Sequence, residues 1–168
     1  MNCKSCGNSN VADSIVYGYS VKECQVCGYL YGESTILKKI EELNKAKEMG
    51  IDPVIYPLHT LLSKVANFKI EYSCPGFPKE KIAPYISFSI LDSKLNALEQ
   101  LIQALIQANK KTKVHWMVEV TFQKQLLYIL KPNFHHDPYH ISVEQISISQ
   151  KDIEILAKEI EEKFQIVF

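Results

Sequence analysis

Four cysteines near the start of the chain constrain its fold more than any other feature. They stand as Cys3-Lys4-Ser5-Cys6-Gly7 and Cys24-Gln25-Val26-Cys27-Gly28, with seventeen residues between the inner cysteines. Two cysteines separated by two residues can curl around one ion with backbone amides aimed at the sulfurs, and the glycine that follows admits the left-handed turn that closes the curl. Two such pairs at this separation form the pattern of a four-thiolate zinc site. Cys3, Cys6, Cys24 and Cys27 are therefore the predicted ligands of one structural Zn2+. Four protein ligands leave no open position for water, so the predicted role is structural rather than catalytic. A redox use of either pair is disfavoured, because neither opens a helix in a βαβ pattern.

Between the two pairs, Ile15-Val16-Tyr17-Gly18-Tyr19-Ser20-Val21 is β-branched and aromatic, and Tyr29-Leu30-Tyr31 follows the second pair. A short three-stranded ribbon is predicted, and a piece this small cannot bury a core without help such as a metal. The doubled C-x2-C-G with its strand-rich spacer resembles the zinc-ribbon superfamily over residues 1–32. That resemblance implies a fold and a metal. It implies no single activity, since zinc ribbons occur in transcription and translation factors, as inserts in enzymes and as protein-docking modules.

The remaining chain alternates between two periods. Residues 33–50 read as a helix with Ser34 as N-cap, an Ile36, Ile40 and Leu43 stripe, and Gly50 at its end. Pro57 begins a short helix carrying Leu58, Leu61, Leu62 and Val65. Phe68, Ile70 and Tyr72, then Ile86, Phe88 and Ile90, alternate with polar residues as half-buried strands do. A core-packed helix is predicted over 92–109 from Leu95, Leu98, Ile102 and Leu105. Val114 to Phe122 and Leu126 to Leu130 give two more strands. Ser149 and Asp152 have the form of a capping box ahead of Ile153, Leu156, Ile160 and Phe164.

The expected fold class is α+β: an N-terminal zinc ribbon (1–32), a helical connector (33–66), and a ββαββα domain (67–168). The domain is expected to hold a four-stranded, mostly antiparallel sheet with helices on one face, because each strand has one apolar and one polar side. The other face is expected to be open.

Beyond the cysteines, five groupings are candidates for chemistry or binding. The first is His135, His136 and His140, which crowd a predicted loop and could hold a second metal or serve as acid and base. The spacing matches no ligand motif, and a surface loop is the reading adopted. The second places Lys69, Glu71, Tyr85, His115 and Glu119 on the open sheet face, where a solvated surface is the reading adopted. The third is a lysine-rich hairpin of Lys110, Lys111, Lys113, Lys124 and Lys131, opposed only by Glu119, which could bind phosphate but is read as a solvated edge that discourages sheet-to-sheet pairing. The fourth comprises Tyr17, Tyr19, Tyr29 and Tyr31, read as a mini-core or docking surface rather than as base-stacking rings. The fifth is Cys74, alone in a Pro/Gly segment and read as a small buried thiol.

Charge sets the function classes in order. Basic and acidic residues balance at 19 each, every basic residue is Lys, and zinc-bound thiolates would make the loaded chain mildly acidic. Arg supplies the bidentate fork that reads guanine edges, so its absence disfavours base-specific readout. No stretch approaches the roughly 18 apolar residues of a membrane span, and a cytoplasmic protein is expected. The leading expectation is a non-enzymatic protein-interaction module, with a homodimer through Tyr85, Met117 and Leu127 or Ile129 of the open face as one form of it. The alternatives are a nucleic-acid-binding ribbon protein and a metal-dependent enzyme using the histidine loop.

Overall fold

The computed structural model describes residues 2–91, 95–134 and 141–166. Within them the chain is a mixed α+β structure with four α-helices and two antiparallel sheets, one of three strands and one of four. It divides into two compact units, Met1–Ile51 and Asp52–Phe168.

The first unit contains β1 (Val11–Val16), β2 (Tyr19–Cys24) and β3 (Leu30–Tyr31), hydrogen-bonded in that order, followed by α1 (Ser34–Glu48). Val16 pairs with Tyr19, so Tyr17 and Gly18 alone make the turn, and both have positive φ, 50° and 82°. Positive φ at both positions is the mirror-image turn that matches strand twist, but it is strained for a tyrosine. The Tyr17 hydroxyl donates to Asn44 Oδ1 of α1 at 2.9 Å, which holds the hairpin tip. Ser34 is the first helical residue rather than the cap; Glu33 takes that position and makes no side-chain capping bond. The other end matches expectation: Gly50 has φ 67°, its N–H donates to Lys47 O, and the N–H of Ile51 reaches back to Ala46 O. These two bonds satisfy the last helical carbonyls.

The second unit begins with α2 (Tyr56–Ser63), then runs β4 (Phe68–Cys74), a single 3-10 turn (Pro78–Glu80), β5 (Tyr85–Ile90), α3 (Asn96–Ala108), β6 (Trp116–Phe122), β7 (Leu126–Pro132) and α4 (Val143–Phe164). The strand order is β4-β5-β7-β6, with every neighbouring pair antiparallel. Phe68, Phe88 and Tyr128 stack in a row across three strands, with centroids 4.5 and 5.6 Å apart. That face also carries Ile86 and Leu130, and with Leu58, Leu62, Leu101, Ile153, Leu156 and Ile160 of the helices they form the core, all buried. A bulge between Ile70 and Tyr72 in β4 shifts its register against β5.

α4 corrects the capping expectation. Its N-cap is Ser142, not Ser149: the Ser142 hydroxyl accepts from Gln145 N at 3.1 Å while Gln145 Oε1 accepts from Ser142 N at 2.8 Å. The helix therefore starts six residues before Ser149. Asp152 lies within it, buried, and its carboxylate accepts the N–H groups of Lys113 and Val114 in the loop before β6.

Candidate metal centre

Both cysteine pairs adopt the same local fold. In the first, Cys3 N–H donates to Asn8 O at 2.7 Å and Gly7 N–H to Cys3 O at 2.8 Å. In the second, Cys24 N–H donates to Tyr29 O at 2.9 Å and Gly28 N–H to Cys24 O at 2.8 Å. Gly7 and Gly28 sit at φ 74° and 72°, which is the conformational reason each pair is followed by glycine. Gln25 N–H reaches Asn10 O at 3.0 Å and ties the second turn to the start of β1.

This duplication brings the four sulfurs together. Cys3 Sγ lies 3.6 Å from Cys27 Sγ, Cys6 Sγ lies 3.6 Å from Cys24 Sγ, and all four fall within 4.8 Å of one another. A disulfide needs about 2.05 Å, and all four are free thiols. A tetrahedral ion with metal–sulfur bonds of about 2.3 Å places its sulfurs about 3.8 Å apart. The four cysteines are thus positioned to hold one metal ion. Cys3 and Cys24 are buried, whereas Cys6 and Cys27 face solvent.

The electrostatics agree with a thiolate site. The Tyr31 hydroxyl, with help from the Cys6 and Ser5 amides and against burial, lowers the Cys3 thiol to about 6. Ser5 N–H lies 3.4 Å from Cys3 Sγ. Cys6 also has a nearby amide, that of Asn8, which lowers it. Crowding by the Cys27, Cys24 and Cys3 sulfurs, together with burial, overrides that amide and pushes the thiol up to about 12. One proton thus leaves this set readily, and another stays unless a cation replaces it.

Tyr31, read from sequence only as part of a mini-core or docking surface, also lies beside the cysteine cluster. Its hydroxyl accepts Lys4 N–H at 2.6 Å, linking β3 to the first turn, and lowers the neighbouring Cys3 thiol. Tyr29 packs edge-on against it, with centroids 4.9 Å apart. Tyr17 is spent on Asn44 at the far tip of the hairpin, so the tyrosines form no single platform. The signal available in sequence was position: an aromatic hydroxyl four residues past the last cysteine.

The other groupings do not converge. Glu71 accepts from Ser89 Oγ at 2.8 Å, from Lys69 and from Gln125, and these bonds, that of Ser89 foremost, hold its carboxyl below the usual range. Glu119 pairs with Lys131, and His115 Nε2 lies 3.3 Å from Nδ2 of Asn109, the residue that follows α3. Three separate partnerships thus stand where one acid–base cluster was conceivable. Tyr85, Met117, Leu127, Ile129 and Phe134 line a shallow depression of about 590 Å3 on that face, with Leu127 buried at its floor.

The lysine-rich hairpin is similarly dispersed. Lys111 is bound to the buried carboxylate of Glu159, Lys131 to Glu119, and Lys110 to Gln107. Lys124 sits at the opposite end of the seven-residue β6 from Lys113, roughly 20 Å away at about 3.4 Å per residue. Cys74 is buried at the end of β4. His135, His136 and His140 lie outside the described residues.

Among the described residues, the four cysteines are the one group of three or more metal-ligating side chains, and no helix is long and apolar enough to cross a membrane. The chain matches no family model, no curated protein and no solved structure.

Proposed function

We propose that this is a zinc-binding protein in which one structural ion closes an N-terminal zinc ribbon, and that the chain works as a protein-interaction module rather than as an enzyme. The observation that carries the metal reading is the set of four sulfurs within 4.8 Å, held by two turns of the same hydrogen-bond pattern. An all-thiolate tetrahedral set is the chemistry of zinc or iron, and a closed four-ligand site suits structural zinc. For the interaction reading, the support is the open sheet face with Tyr72 at its margin, 67% exposed. The dispersed and internally paired lysines weigh against a phosphate-binding surface.

Native mass spectrometry of the intact chain tests the metal reading. One zinc per chain, lost when Cys3 and Cys24 are replaced by Ser, is the expected result. Iron in its place, or no retained ion, would overturn it. A second ion retained by the wild type and lost in His135→Ala/His140→Ala would replace the interaction reading with the metal-enzyme alternative. Salt-sensitive binding of single-stranded or duplex nucleic acid would replace it with the nucleic-acid one.

A further inference from the structure

The four-stranded sheet has two edges, and they are guarded unequally: the lysines expected to guard β6 flank it rather than lie within it, and its one charge is Glu119, paired with Lys131. β4 carries Lys69 and the bulge at Glu71, the devices by which natural sheets discourage a further strand. β6, the other edge, is seven residues long, with no proline, lysine or bulge. Three of its apolar residues are left on the helix-bearing face: Val118 half-buried, Val120 56% exposed and Phe122 71% exposed.

The hydrogen-bond phase of β6 can be derived. Trp116 stands opposite Pro132, which has no N–H to offer, and both main-chain groups of Trp116 are taken by Asn109 instead: Asn109 Nδ2 donates to Trp116 O at 2.8 Å, and Trp116 N–H donates to Asn109 Oδ1 at 2.7 Å. Trp116 therefore points its polar groups away from β7. Antiparallel pairs alternate in this respect, so Val118, Val120 and Phe122 also aim N–H and C=O outward, while Met117, Glu119 and Thr121 bond to β7. Asn109 caps the first outward position. Within the described residues of the second unit, the main-chain groups of the next three make no hydrogen bond to a loop or turn.

Above this edge lies an apolar shelf. Ile102, Ile106 and Asn109 share one stripe of α3 and its extension, at steps of four and three, and the contact of Asn109 with Trp116 orients that stripe toward β6. The opposite flank of α3, with Asn96 and Gln100, lines a cavity with Val65, just past α2, and Phe164 at the end of α4. Ile102 and Ile106 are nonetheless 38% and 53% exposed.

We propose that β6 pairs with β6 of a second copy, antiparallel about a two-fold axis at Val120, to give a continuous eight-stranded sheet. The occupant follows from self-complementarity. An isologous interface needs one surface that supplies both halves of the contact, and here one element carries the free strand edge and the alternating apolar side chains that would lie under the partner's shelf. Three outward residues at 118, 120 and 122 admit one register that uses all of them, with Val120 opposite itself and Val118 opposite Phe122. That register also sets Glu119 opposite Thr121, a carboxylate against a hydroxyl. A two-fold axis at Glu119 would set two carboxylates against each other. The proposal involves only the second unit and does not depend on the metal reading.

The test is sedimentation equilibrium of the full chain, with Val120→Pro and Val120→Lys as variants. Val120 N–H points outward, so proline there removes a donor offered to the partner strand and none from β7, and an outward N–H on an edge strand is a position where proline is tolerated. Wild type is expected to sediment as a dimer at micromolar concentration, and both variants as monomers, with dissociation constants weakened by about tenfold or more. Unchanged far-ultraviolet circular dichroism shows that the fold is retained, and Val120→Lys, which keeps its N–H, stands in where proline disturbs it. In wild type the Val118, Val120 and Phe122 amides should also gain hydrogen-exchange protection as concentration rises. A wild-type monomer at all concentrations overturns the proposal. So does a dimer that survives in a folded Val120 variant, which would move the contact to the open sheet face.

Discussion

Asp152 Oδ2 accepts the backbone N–H of Val114 at 2.9 Å, joining the middle of α4 to a loop 38 residues away in sequence. The same carboxylate takes Lys113 N–H at 3.0 Å, and one side of the loop is held again by Lys111 on Glu159, seven residues further along α4. A buried carboxylate accepting amides satisfies donors that would otherwise be orphaned where the chain turns from α3 into β6. Asp152→Ala should destabilise the second unit by about 2–4 kcal/mol. Asp152→Asn, which keeps an acceptor, should cost less. Urea unfolding followed by the single buried Trp116 is the measurement.

Gly76 forms the other rigid point of that unit. It has φ 82°, and a Cβ there would stand 2.8 Å from Pro84 N and 2.9 Å from Pro84 Cδ. Gln150 of α4 donates to the carbonyls of Pro75 and Gly76 at 2.9 and 3.0 Å, so the loop cannot shift without losing both bonds. Gly76→Ala meets strain and overlap together and should cost about 2 kcal/mol or more, read as a lowered urea midpoint. A neutral Gly76→Ala would mean the loop relaxes freely.

At the metal centre, Tyr31→Phe deletes one hydroxyl and leaves the ring packed on Tyr29. The lost bond from Lys4 N–H loosens the first turn and the hydroxyl no longer favours the Cys3 thiolate, and outer partners of this kind typically contribute about 10–100-fold in metal affinity. The expected result is a fall of about tenfold in competition with a chromogenic chelator. Affinity equal to wild type would make Tyr31 a packing residue only.

Metal retention should depend on pH with a definite sign. Binding requires four thiolates, and in the metal-free site the Cys6 thiol keeps its proton up to about 12, while Cys3 loses its own at about 6. Protons are released when the ion binds, so apparent affinity rises with pH and falls on acidification, most steeply once Cys3 is also protonated below about pH 6. Titration of metal release between neutral pH and pH 4 to 5, roughly, checks this. A flat profile would show that another ligand set holds the ion.

His59 adds a smaller pH effect in the second unit. Burial lowers its pKa below the ordinary histidine value of about 6.5, and its Nδ1 lies 3.1 Å from Ser73 Oγ. The unfolded chain therefore takes up the proton first, and stability drops as pH falls from about 6.5 toward the lower folded value. Replacing His59 by Gln should flatten the unfolding free energy over that window.

What the sequence determined by itself rests on local rules. The C-x2-C-G pairs carry their own geometry, since a bonded turn of five residues with glycine at positive φ depends on little outside it. Periodicity likewise predicted the three-stranded and four-stranded sheets and the helices at Pro57, Leu98 and Ile153, because one apolar face has to find cover. Tertiary structure decided what depended on distant partners. Ser142, not Ser149, caps α4 because Gln145 answers it, and Asp152, which seemed a cap, serves a loop 38 residues earlier. Tyr31 became part of the metal centre only when β3 lay beside the first turn. The open-face ionisable groups were divided among separate partners by strand order, β4-β5-β7-β6, which alternation along a strand does not encode. That order also left β6 as an edge, and no run of residues read alone distinguishes an edge strand from a central one.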